Sequence, residues 1–141
     1  ILQAAGGFDH LKLRSAAAIA IAKGHQPLRE RLLAGNVVLK NLVARPRPCW
    51  TEDISLLIKN PTDFSFPSGH TLSSAISAVI LCSAGRKFAA FAIPLSVFIA
   101  LSRLYLYVHF PSDVIFAALL GIVIGFMTLA LSKKIKPLQR I

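Results

Sequence analysis

An all-α, membrane-embedded bundle with at least three transmembrane helices is the fold class that three observations predict. Hydrophobic residues make up 55% of the 141 and the mean hydropathy is +0.63, more apolar surface than a soluble domain of this size can hide. The apolar residues gather into three segments of near membrane-spanning length. The cationic residues gather at the ends of those segments, where lysine and arginine anchor membrane helices.

The first segment follows Pro67-Ser68-Gly69-His70 as TLSSAISAVILCSAG and stops at Arg86-Lys87. The second, FAAFAIPLSVFIALS, runs from Phe88 to Ser102, and the third, VIFAALLGIVIGFMTLALS, from Val114 to Ser132. A crossing helix needs about 20 residues, so the first two must borrow flanking residues. Serine, alanine and glycine in the first and third suit close helix packing. Leu32 to Val43 reads as a further helix, too short to cross alone. Residues 1–31 are broken by Lys23, His25, Pro27 and Arg29-Glu30-Arg31 and contain no span. A single domain over 1–141 is expected, its N-terminal segment 1–31 leading into a core over 32–141. The chain opens on Ile1 without signal-peptide architecture, as expected of a fragment or a processed form.

Arg86-Lys87 and Lys133-Lys134-Ile135-Lys136 lie where two helices emerge on one side, and the positive-inside rule makes that side cytoplasmic. The loop from Arg45 to Phe66, the Pro67–His70 stretch and the Arg103–Asp113 stretch then share the opposite face. The net charge of +10, from 16 Lys and Arg against 6 Asp and Glu, is topological on this reading. No basic face is interleaved with aromatics, so nucleic acid is not an expected partner. Cys49 and Cys82 allow at most one disulfide, and Cys82, inside an apolar run, reads as a small buried hydrophobe.

Phe66-Pro-Ser-Gly-His70 directly precedes a helix. Ser68 is a good N-cap, Gly69 permits close backbone approach, and the first-turn amides present the positive end of the helix dipole, which binds anions. Taken alone, Pro-Ser-Gly reads more readily as the start of an ordinary capped helix; His70 at the membrane boundary shifts the balance toward function. Upstream, Pro46 and Pro48 hold Arg45 and Arg47 in an extended segment. Lys40 as a point charge and Arg47 as a bidentate donor suit an oxyanion clamp, or a basic helix end on anionic head groups, a role that fits Arg45 better than Arg47. Arg103 follows the second span. His109 and Asp113 stand four apart at the start of the third, with Pro111 suited to a first helical turn. Asp113 is expected to reach the His109 imidazole and fix its tautomer; half of a metal site and a purely structural pair are the other readings, the first lacking the further ligands that zinc requires.

Lys40 with six residues before Arg47-Pro48, then Pro67-Ser68-Gly69-His70, then Ser102-Arg103 with five residues before His109 and three more before Asp113, resemble the complete three-part signature of the type 2 phosphatidic acid phosphatase family, over roughly residues 36–132. The resemblance implies a helical bundle and a phosphatase without metal or cofactor that works through a phosphohistidine. It implies His109 as nucleophile, Asp113 as its orienting partner and His70 as general acid, with Lys40, Arg47, Ser68, the Gly69 backbone and Arg103 holding the phosphoryl oxygens. It also implies a lipid phosphate as substrate: undecaprenyl diphosphate, phosphatidylglycerophosphate or phosphatidate, the compact length being most like the undecaprenyl diphosphate group. The expected location is a bacterial inner membrane, with the site facing away from the cytoplasm. Membrane members of that family usually carry further hydrophobic helices before the lysine motif, and residues 1–31 do not supply them. A vanadium-dependent haloperoxidase, a soluble acid phosphatase and a non-catalytic membrane binding protein of the same fold remain as alternatives, the first two disfavoured by the hydrophobic spans.

Overall fold

The computed structural model describes residues 36–52 and 55–135, so the expectations for residues 1–31 lie outside the described residues. Helix α1 includes 36–43. It is followed by the short α2 (Pro48–Thr51) and by three long helices, α3 (Gly69–Ala84), α4 (Arg86–Tyr105) and α5 (Pro111–Ile135). No strand occurs among the described residues. The three apolar segments are the three long helices, each extended beyond its hydrophobic run by flanking residues. At 1.5 Å per residue they are about 24, 30 and 37 Å long. Thus α4 and α5 are long and apolar enough to cross a membrane, and α3 is a shorter apolar helix.

The connections make neighbouring helices antiparallel. Gly85 alone separates α3 from α4, at φ 146°, a backbone conformation open to glycine and strained for other residues. The starts of α3 and α5 and the end of α4 therefore meet at one end of the bundle. Helix α3 packs extensively against both α4 and α5, which touch each other little. Leu72, Ile76 and Ala117 form the buried core, with Ile80, Leu120 and Ile124 packed around it. The seam between α3 and α5 is so close that a Cβ on Gly121 would stand 2.7 Å from the Ala75 Cβ, and one on Gly125 2.7 Å from the Val79 Cβ. Only residues without a side chain permit that spacing.

Outward faces confirm the solvent. Phe91, Phe98, Leu101, Phe126 and Met127 are all exposed, and only 6% of the apolar stretch of α4 is buried in the protein. Such patches are liabilities in water and the expected surface in hydrocarbon. The chain is an all-α membrane protein. Cys49 and Cys82 are both free thiols; Cys49 is buried, whereas Cys82 is only half-buried, because its side of α3 lies toward the periphery.

Candidate active site

Two loops and one helix start build the polar end of the bundle. Helix α1 ends at Ala44, whose left-handed φ of 48° turns the chain sharply into Arg45-Pro46-Arg47. Helix α4 ends in the same way, with Tyr107 at φ 55° directing the chain into Val108 and His109. A left-handed alanine or tyrosine is unfavourable by about 1–2 kcal/mol, a strain held in place by the bonds that surround it. The backbone of Ser65 donates to Arg45 O at 2.9 Å and that of Ser68 to Asp113 O at 3.4 Å, so the 55–68 segment is sewn to both. The Phe66–Pro67 peptide is cis.

Six of the expected residues, Lys40, Arg47, Gly69, His70, Arg103 and His109, line one cavity of about 770 Å³. Ser68 and Asp113 are fully buried behind its wall. Ser68 occupies the N-cap position of α3 but makes no capping bond with its side chain; its Oγ instead accepts from Thr71 Oγ1 at 3.0 Å. The first hydrogen bond of α3 runs from Leu72 N to Ser68 O, which leaves the Gly69, His70 and Thr71 amides without a partner inside the helix.

The clamp is organised around a residue that the motifs do not contain. Asp63, in the loop, is ion-paired with Lys40 and receives Arg47 Nη2 at 2.6 Å on Oδ1. Lys40 Nζ also donates to Phe64 O at 3.0 Å. Arg47 Nε donates to Asp63 O at 2.7 Å, and its Nη1 to Val108 O at 2.7 Å. Burial alone would raise the Asp63 pKa, but hydrogen bonds and charge from Lys40 and Arg47 bring it down to about 2. Asp63 gave no signal in the sequence beyond being an acid in a loop before Pro-Ser-Gly-His.

His109 is buried between two charges. Its Nε2 lies 3.3 Å from Arg47 Nη1. A guanidinium only donates, so Nε2 is the bare nitrogen and the proton sits on Nδ1. Nδ1 lies 3.7 Å from Asp113 Oδ2, beyond hydrogen-bond reach, and is a buried atom without a partner. The expected His–Asp hydrogen bond is therefore replaced by a longer contact, because Asp113 is already occupied: Oδ1 accepts from Arg45 Nη1 at 2.6 Å, and Oδ2 from Ser65 Oγ and from Phe110 N at 2.9 Å. Arg45, expected at lipid head groups, instead turns inward, bonds Ser112 Oγ at 2.7 Å and stacks over the Phe110 ring at 4.1 Å. Burial, then the positive charges of Arg47 and Lys40, press the His109 pKa down from 6.5 to about 4, against smaller upward pulls from Asp113 and from the Ser65 backbone.

An imidazole kept neutral, with its free nitrogen beside a cluster of cations and a helix start, is chemically an anion site furnished with a nucleophile. The sequence model of the PAP2 superfamily matches residues 16–137. The chain belongs to the PAP2 superfamily. A decaprenylphosphoryl-5-phosphoribose phosphatase from Mycolicibacterium smegmatis is 41% identical over 83 residues, covering 58% of this chain and 44% of that protein. An undecaprenyl-diphosphatase from Sulfolobus acidocaldarius is 39% identical over 93 residues, covering 64% of this chain and 45% of that one. The chain thus spans under half the length of these two relatives. A transmembrane PAP2-type phosphatidylglycerolphosphate phosphatase from Bacillus subtilis, known from its crystal structure, superposes with a TM-score of 0.64 at 26% identity, covering 93% of this chain and 71% of that one.

Proposed function

We propose that this PAP2 protein is an integral membrane phosphatase that removes a phosphoryl group from a lipid phosphate ester or diphosphate, through a phosphohistidine on His109, on the face of the membrane away from the cytoplasm. The observation that carries this reading is the placement of His109 Nε2, 3.3 Å from Arg47 Nη1, in a cavity that also contains Lys40, Arg103 and His70 and continues between α3 and α4. Phosphoryl transfer requires positioning and neutralisation of the equatorial oxygens more than covalent help. Lys40, Arg47, Arg103 and the first amides of α3 supply both once Asp63 gives way to the phosphate.

In the first step the Nε2 lone pair forms the N–P bond as the P–O bond to the lipid breaks, and the departing oxygen takes a proton from His70. Asp113 stabilises the positive charge that appears on the ring. In the second step water attacks phosphorus, its proton passes to His70, the N–P bond breaks, and inorganic phosphate leaves with both histidines restored. Undecaprenyl diphosphate, phosphatidylglycerophosphate and phosphatidate all present a phosphate in water and a tail in lipid, as a cavity at the membrane boundary requires.

The test is phosphate release by the protein in detergent from these three lipids, with EDTA present, together with trapping of an acid-labile phosphoenzyme. His109→Ala is expected to abolish the trapped species for each lipid. Turnover that persists in His109→Ala, or that needs an added divalent cation, rules the mechanism out. Ser112→Cys, in a background lacking Cys49 and Cys82, is expected to react with an impermeant thiol reagent in intact cells; labelling only after lysis reverses the orientation.

A further inference from the structure

The cavity is much larger than a phosphate needs, and its wall changes character with depth. Beyond His70 the face of α3 presents Ser73, Ser74 and Ser77 before it becomes apolar at Ala78 and Leu81, and α4 contributes Ser96 opposite. The spacing from 70 to 77 is that of one helix face. Serines between membrane helices are ordinary packing residues, and two of these serve that purpose, since Ser96 Oγ donates to Ser74 Oγ at 3.2 Å across the helices. Ser73 Oγ donates to Gly69 O at 2.9 Å, leaving its lone pairs toward the cavity.

Asn36 makes the difference. It lies on α1 one turn before Lys40, lines the same cavity and is 8% exposed. Its Oδ1 is a buried acceptor without a partner. Its amide rests on the start of α3, where a Cβ on Gly69 would stand 3.1 Å from Asn36 Nδ2. Leaving a buried acceptor unanswered is unfavourable, and the phosphate cannot answer it, because phosphate oxygens in the dianion only accept. Lys40 and Arg47 are directed to Asp63 instead. The missing group is a donor, and it would sit beside Lys40 and the start of α3.

Building on the phosphatase reading above, we infer that Asn36, with Ser73 and Ser77, forms a leaving-group subsite that receives a hydroxyl close to the phosphate ester, so that the preferred substrates carry a glycerol- or sugar-type head between phosphate and tail. A prenyl diphosphate has no such hydroxyl and leaves Asn36 unsatisfied. The subsite gives the polar belt of the cavity a function distinct from tail binding, which falls to Leu81, Phe91, Leu95 and Ile99 below it.

The experiment compares two lipid monophosphates with the same acyl chain, 1-acylglycerol 3-phosphate and its 2-deoxy counterpart, which differ by a single hydroxyl. The wild-type protein is expected to favour the hydroxylated lipid in kcat/KM by about tenfold, the scale of a donor lost from a site built to bond it. Asn36→Ala is expected to bring that ratio close to one, and Ser77→Ala to lower it in part. Equal wild-type rates on the two lipids overturn the subsite without any variant being needed. So does a loss in Asn36→Ala that is the same for both lipids, since support of Lys40 alone would act that way. Phosphate release from neither lipid overturns the subsite where undecaprenyl diphosphate is still hydrolysed, and overturns the phosphatase reading on which it rests where that lipid is not hydrolysed either.

Discussion

Arg45 and Arg47 stand two residues apart, each is paired with an aspartate, and the two pairs are built in opposite senses. In the first the acid is buried: the Asp113 side chain is 0% exposed while that of Arg45 is 34% exposed. In the second the bases are buried: Arg47 and Lys40 are 5% and 10% exposed, and Asp63 is 57% exposed. A buried carboxylate surrounded by donors from three segments is scaffold. Two buried cations closed by an exposed carboxylate form an anion site with a removable anion in place. His109 lies between both arrangements, Nε2 toward Arg47 and Nδ1 toward Asp113, so in the proposed mechanism the fixed pair has the task of positioning the nucleophile and the exchangeable pair that of receiving the substrate.

Breaking the buried pair should have the largest effect. Arg45→Ala leaves the Asp113 charge buried without its cation, a loss of about 3–5 kcal/mol, seen as a lower thermal unfolding midpoint in detergent. Removing both partners, in Arg45→Ala with Asp113→Ala, should recover part of that loss. A midpoint unchanged in Arg45→Ala would mean that Ser65 and Phe110 hold the carboxylate unaided.

In the open pair the effect moves from stability to activity. Arg47→Lys keeps the charge and loses the fork that bonds Val108, Asp63 and His109 together, so kcat/KM should fall by about 100-fold or more, with a smaller change in unfolding midpoint than Arg45→Ala. A larger stability effect here than at Arg45 would erase the contrast between the pairs.

Asp63→Asn sharpens it further. Loss of the competing carboxylate should tighten inhibition by vanadate, by up to about tenfold. Weaker vanadate binding would identify Asp63 as a part of the clamp rather than its occupant.

The smallest expected effect is in pH dependence. With the His109 pKa near 4, the acid limb of kcat/KM that belongs to the enzyme should lie nearer 4 than 6.5, once the second ionisation of the phosphate substrate, near 6, is allowed for. The stability sign follows from the same shift: between about 4 and 6.5 the unfolded chain binds a proton on His109 that the folded one does not, so stability should rise with pH across that window. An enzyme limb at 6.5 would mean that Asp113 outweighs burial and the two cations.

The long helices were legible because their signal is local. Phe88–Ser102 and Val114–Ser132 are uninterrupted apolar runs, and the structure lengthens them only to the nearest turn-forming residues. Lys40, Arg47, His70, Arg103 and His109 were legible because their offsets are fixed along the chain. Asp63, Ser65 and Asn36 were not, since what matters about each is a partner on another segment, and no periodicity encodes it. Arg45 was misplaced for the same reason: its acid lies 68 residues further on, and a basic helix end without a visible acid looks like a head-group anchor. The His109–Asp113 spacing suggested a hydrogen bond but gave no account of how many other donors Asp113 serves.

The glycine seam bears on tolerance in the machinist's sense. Where Gly121 and Gly125 face Ala75 and Val79, α3 and α5 touch through backbone, the Ala75 methyl and the short, branched Val79 side chain, contacts with little rotamer freedom with which to readjust. The gap between those helices also sets the separation of the segments they carry, His70 at one tip and the His109–Asp113 turn at the other. Long side chains at such a seam can shift by an ångström and leave a fold intact, whereas the phosphoryl transfer proposed above would not tolerate that error.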